Sequence, residues 1–139
     1  MRLYLAARYG RRVELMGYAD LLTDLGHEVV STWIDGHNER NSAHGAMTDL
    51  VASDSERGAW AQEDCEDLYR ADCMIAFTES PGMPGGDRGG RSVEFGVALT
   101  WGCRLIVVGP RENVFHCLPE VEQYATWQEC YVALQAAGR

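Results

Sequence analysis

Apolar residues fall in short blocks divided by turn signals, and the blocks alternate between two periods. Leu3, Tyr4, Leu5, Ala6 and Ala7 form an unbroken apolar run that predicts a first strand. Leu15, Tyr18, Leu22 and Leu25 then recur at helical spacing, and Gly26 supplies the stop. Residues 27–34 are rich in β-branched side chains and predict a second strand. Strand, helix and strand in this order predict a parallel pair joined by a right-handed crossover.

Over residues 35–57 the pattern fades into polar residues, which suits a functional lid or a loop holding a helical turn around 47–52. Residues 60–71 predict a helix with Ala61, Cys65 and Leu68 inward. Residues 73–77 are continuously apolar, as a central parallel strand requires. A Gly- and Pro-rich loop over 79–90 leads into a helix over 92–101 closed by Gly102. Next comes a strand over 105–108 that ends at Gly109 and Pro110. Residues 114–116 add a short edge strand, and Thr126 with Glu129 forms a capping box for a terminal helix through Leu134. The expected fold is one α/β domain over residues 1–139. It is a doubly wound, Rossmann- or flavodoxin-like sheet of four or five parallel strands with helices on both faces.

Composition narrows the function classes. The chain's 139 residues suit one domain, and 46% hydrophobic with 24% charged residues is ordinary for a globular protein. No run approaches the roughly 18 apolar residues that span a bilayer. The N-terminal apolar stretch is too short for a signal peptide and is broken by Arg8, so a cytoplasmic location and no membrane partner are expected. Five scattered cysteines contain no CxxC pair, and His37, His44 and His116 lack metal-ligand spacing. Neither a metal nor a cofactor is expected. A net charge of −9 opposes binding to polymeric nucleic acid but leaves room for one small phosphate in a local basic patch.

In open parallel sheets, ligands lie beyond the C-terminal strand ends. The run over 81–92 sits at such an end and is rich in glycine, including Gly82, Gly89 and Gly90. It lacks the Gly-Lys-Ser/Thr ending of a phosphate-binding loop and does not follow the first strand as a dinucleotide fingerprint must. It reads either as a flexible surface connection or as a backbone cradle for a ligand. Glu94 follows directly, in the first turn of the predicted helix. There a carboxylate serves the helix dipole or attacks a developing oxocarbenium centre. Upstream, Glu63, Asp64, Glu66 and Asp67 form an acidic run; a solvated face accounts for three of the four, with Asp64 and Asp67 on the flank.

In order and spacing these residues resemble the nucleoside 2-deoxyribosyltransferase family and its relatives, the (deoxy)nucleoside 5′-monophosphate N-glycosidases. The matching pieces are Leu3-Tyr4-Leu5-Ala6, Leu25-Gly26-His27-Glu28-Val29, Asp64 ahead of Asp72-Cys73-Met74-Ile75, and the glycine loop entering Val93-Glu94-Phe95-Gly96. The resemblance implies that Glu94 is a nucleophile forming a covalent glycosyl-enzyme. It implies that Asp64 handles the proton of the base and that Tyr4 orients Glu94; a core aromatic is the other reading of Tyr4. It further implies a nucleoside or nucleotide substrate and a homo-oligomer. The chain departs from the family in carrying Ala7-Arg8-Tyr9 after the strand, and Arg88 where monophosphate-cleaving relatives have a serine. Arg8, Arg11 and Arg12 form a basic cluster that suits a 5′-phosphate, with Ser92, Gly89 and Gly90 as further donors; surface ion pairs are the alternative. Trp33 suits base stacking or packing. The competing function is a non-catalytic nucleotide-binding or signalling module on the same fold.

Overall fold

A computed structural model describes residues 1–35, 52–82 and 89–138. Their five strands are β1 (Arg2–Ala6), β2 (Glu28–Val29), β3 (Cys73–Phe77), β4 (Arg104–Val108) and β5 (Val121–Tyr124), all parallel in the order β2-β1-β3-β4-β5. The four α-helices among these residues are α1 (Arg12–Asp24), α2 (Asp54–Arg70), α3 (Gly90–Trp101) and α4 (Trp127–Ala137). The doubly wound sheet expected from the sequence is present, with five strands.

Every residue of β3 is buried, because β1 and β4 flank it and helices cover both its faces. Its unbroken apolar run is the sequence mark of that position. Tyr18 of α1 stacks between Phe77 (5.5 Å between centroids) and Trp127 of α4 (4.3 Å), so α1 and α4 share one face. On the other, α2 packs against α3, and their C-terminal ends are joined by Trp101 Nε1 donating to the Tyr69 carbonyl at 3.0 Å. Phe77 points toward α1. Side chains alternate along a strand, so Ile75 and its register partner Leu5 point the same way. Tyr4, Ala6, Met74 and Ala76 therefore face α2 and α3.

Four details correct the sequence reading. The second strand spans only Glu28–Val29 instead of 27–34. Beyond Val30, side chains replace the backbone on the edge of β1: Ser31 Oγ accepts from the Leu5 N–H, and Trp33 Nε1 donates to the Leu5 carbonyl at 2.9 Å. Residues 114–116 are no strand but part of a 3-10 turn, Val114–Cys117, wound by Asn113 Oδ1 accepting from the N–H groups of Phe115 (3.0 Å) and His116 (3.3 Å). The strand at that edge of the sheet, beside β4, is β5. Helix α2 begins six residues early, behind a capping box of Ser53 and Glu56. It buries Trp60, Asp64, Asp67 and Leu68, with Ala61 exposed and Cys65 only partly covered. Thr126 caps α4 by accepting from the Glu129 N–H (3.3 Å), while Glu129 returns to the Ala125 N–H (3.0 Å), one residue short of a closed box. Most of the lid, including residues 47–51 of the proposed helical turn, falls outside the described residues.

Asp67 shows why a carboxylate can sit in this seam. It is 5% exposed and accepts from the Thr32 N–H (2.9 Å), the Thr32 hydroxyl (2.7 Å) and Arg70 Nη2 (3.0 Å). Buried polar groups are tolerated when bonded, and removing one partner strands the others. Asp67→Ala is expected to lower stability by about 1–3 kcal/mol in urea unfolding, with an unchanged denaturant slope.

Candidate active site

The chain leaves β1 toward β2 on one side and β3 toward β4 on the other, so strand order reverses between β1 and β3. At such a switch point the connections diverge and leave a crevice beyond the strand ends. Here Ala6 pairs with Ala76, and these small side chains floor a recess walled by Phe77, Thr78, Ser92 and Phe95.

Glu94 stands on the helix that starts at this recess. Gly89 caps α3 in the left-handed region (φ 92°), a conformation that favours glycine, and the helix begins at Gly90. Glu94 is thus the fifth helical residue, beyond the first turn where the sequence reading set it. Dipole stabilisation fades within that turn, so it accounts poorly for this carboxylate. Glu94 is half-buried. Asp64, on α2, is only 8% exposed, and Tyr4 is wholly buried on the sheet face that α2 and α3 cover. The acidic run therefore splits evenly: Glu63 and Glu66 are exposed while Asp64 and Asp67 are buried, so solvation covers two of the four.

The arginines have separate roles. Arg11 is engaged on all sides. It pairs with Glu14 at 2.8 and 2.9 Å, reaches Glu79 and the Thr78 carbonyl at 3.4 Å, and lies 5.3 Å from the centre of the Phe77 ring. Arg12 donates to the Ile34 carbonyl at 3.0 Å. Arg8 bonds Glu79 through Nε alone (3.1 Å), and its side chain is 40% exposed. Its guanidinium rests over Gly10, where a Cβ would lie 2.5 Å from Nη1. Arg8 thus keeps a partly exposed guanidinium, whereas Arg11 is built into the wall. Trp33 is a correction: at 5% exposure, bonded to the Leu5 carbonyl, it is a core residue and not an open stacking platform. Ser92 is exposed at the recess, beside Gly89 and Gly90. Residues 83–88 of the glycine loop fall outside the described residues.

Sequence reasoning missed Glu79, Arg91, Glu112 and His116. Arg91 forms a two-point pair with Glu112 (2.8 and 3.1 Å) at the recess, and the Nδ1 of buried His116 accepts the Glu112 N–H at 3.1 Å. None belongs to a periodic pattern, and the pairing joins residues 21 apart. Burial lowers the His116 pKa. Among the described residues, no group of three or more His, Cys, Asp or Glu is placed to share a metal ion. No helix there is long and apolar enough to cross a membrane.

No protein-family model matches the chain, and no curated protein matches it significantly. Among solved structures, the CMP N-glycosidase BcmB of Clostridium botulinum aligns over 98% of this chain and 99% of its own, with a TM-score of 0.59 and 19% identity. The likeness shows the fold. It is the doubly wound parallel α/β sheet that the sequence led us to expect.

The Arg11–Glu14 pair beside the crevice sets a pH dependence. Hydrogen bonding to Arg11, supported by Tyr18, holds the Glu14 carboxyl at about 2 against its ordinary 4.5. A depressed carboxyl stabilises the fold above its unfolded value and loses that contribution as pH falls toward its folded one. Unfolding followed from pH 6 to pH 2.5 is therefore expected to show a shallower acid loss of stability in Glu14→Gln than in the parent.

Proposed function

We propose that this protein breaks the N-glycosidic bond of a nucleoside or nucleotide through a covalent intermediate on Glu94. One observation carries the reading. Glu94 projects, half-buried, from the helix that opens on the switch-point crevice, in a fold aligned end to end with a CMP N-glycosidase. Buried Asp64 on the adjoining helix supports it.

In this reading the Glu94 carboxylate attacks the anomeric carbon, and the C–N electron pair departs with the base. Asp64 gives the base a proton, so that it leaves neutral. Tyr4 holds Glu94 in position. In the second step water or another base attacks the same carbon, its proton goes to Asp64, and Glu94 is released. Two displacements retain configuration. Water makes the protein a hydrolase, and a second base makes it a transferase. The open fork of Arg8 favours a 5′-monophosphate, with Ser92 and the backbone of Gly89 and Gly90 as further donors.

A homo-oligomer belongs to the same reading. Val93 (66% exposed) and Trp101 (57%) lie on one stripe of α3 with Val97, and Tyr69 (52%) continues it on α2. The cytosol is the proposed compartment, supported by five cysteines that are all free thiols.

The test is incubation with ribo- and deoxyribonucleosides and their 5′-monophosphates, with and without a second free base, followed by chromatography. Release of free base or formation of an exchanged nucleoside is expected. Asp64→Asn should slow cleavage by roughly 10²–10⁴-fold, and Glu94→Ala by more. A silent panel, or Glu94→Ala cleaving at the parent rate, overturns the reading and leaves the non-catalytic module.

A further inference from the structure

Among the described residues, one side chain in the first turn of α3 bonds to the sheet. Gly90 has no side chain, and Ser92 and Val93 are exposed. Of the four helical residues ahead of Glu94, only Arg91 turns inward. Its side chain is 15% exposed, and its Nη1 donates to the Phe77 carbonyl at the end of β3 at 3.3 Å. The same guanidinium grips both oxygens of Glu112 at 2.8 and 3.1 Å. Glu112 lies in the loop after β4, its side chain 24% exposed. Its backbone N–H is held by His116, whose ring packs edge-on against Phe95, 4.7 Å between centroids. Glu94 is thus bracketed by Arg91 three residues before and Phe95 one residue after, both tied to the loop that follows β4.

A bidentate Arg–carboxylate pair fixes direction as well as distance, and it fixes them more firmly when sheltered from water. A helix start held in this way resists the small rotations that would swing a side chain one turn later. In covalent catalysis, a displacement of about 1 Å at the reacting atom costs on the order of 10²-fold in rate.

We propose that Arg91 and Glu112 form a positioning latch that sets the pose of Glu94, so that the loop after β4 governs the rate of the chemical step and not the binding of substrate. The proposal rests on Glu94 being the nucleophile. Arg91 and Glu112 act through Glu94 and are positioning residues.

The test is a double-mutant cycle of Arg91→Met, Glu112→Gln and the pair, on the panel member the parent cleaves fastest. In parallel, amide hydrogen exchange is followed over residues 92–95. Each single variant is expected to lose about tenfold in kcat with KM within about twofold. The double variant should lose about the same tenfold, because the latch is already broken by either change. Exchange over 92–95 should quicken in all three, with the melting temperature holding them folded at the assay temperature. The proposal is overturned if kcat is unchanged in both singles, if the losses multiply in the double, or if the effect falls on KM alone. A parent that cleaves nothing overturns the glycosidase reading itself. Exchange then still decides the latch, and unchanged protection over 92–95 in the variants rules it out.

Discussion

Arg2 and Asp72 lock the first and third strands together where they start. The Arg2 N–H and Nε donate to Asp72 Oδ2 at 2.9 and 3.3 Å, Nη2 donates to Oδ1 at 2.9 Å, and the Asp72 N–H returns to the Arg2 carbonyl at 2.8 Å. This contact holds the Asp72 carboxyl at about 2. The clamp abuts the pairing of Leu3 with Cys73, and the same register, held by the buried side chains of both strands, pairs Ala6 with Ala76 at the far end. A slip of one residue would turn every side chain of β1 to the opposite face. Tyr4 would leave the α2 and α3 side, and the recess would lose its small-residue floor. The crevice thus depends on the strand register that this clamp accompanies at the opposite end of β1 and β3.

Around that crevice, charge is balanced locally in a chain whose net charge is −9. Arg8 and Arg11 face Glu79 and Glu14, and Arg91 faces Glu112. Most of these cations are spent on structure: Arg11 on the wall, Arg91 on the start of the helix that carries Glu94. Among the described residues, Arg8, seated over Gly10 and 40% exposed, is the cation that the proposed function assigns to a ligand. The two buried aspartates of α2 also differ in the work assigned to them. Asp67 is occupied in holding the turn after β2, and Asp64 is the acid the proposed chemistry calls on.

The parts legible from sequence were those where a single physical cause dominates. Cys73–Phe77 reads correctly because a strand buried on both faces must be apolar throughout. Gly102, at φ 84°, closes α3 where the periodicity ends. The errors arose where side chains take over backbone bonding. Ser31 and Trp33 finish the edge of β1 in place of a longer second strand, and Asn113 winds 114–116 into a 3-10 turn despite their strand-like composition. Apolar periodicity placed Cys65 inward because it cannot recognise an aspartate buried by hydrogen bonds. Of the candidate site, Glu94 and Asp64 were legible through the spacing of family-like segments. Glu79, Arg91 and Glu112 were not, since their significance lies in partners distant in sequence.

The covalent bond to Glu94 is the claim on which the functional account turns, and mass spectrometry tests it directly. The protein is acid-quenched during exposure to cytidine 5′-monophosphate, to its 2′-deoxy counterpart and to the matching nucleosides, then weighed intact and after proteolysis. The account predicts an added mass equal to the sugar or sugar phosphate without its base, carried by the peptide that contains Glu94. Base release with no adduct, or an adduct on any other residue, contradicts it.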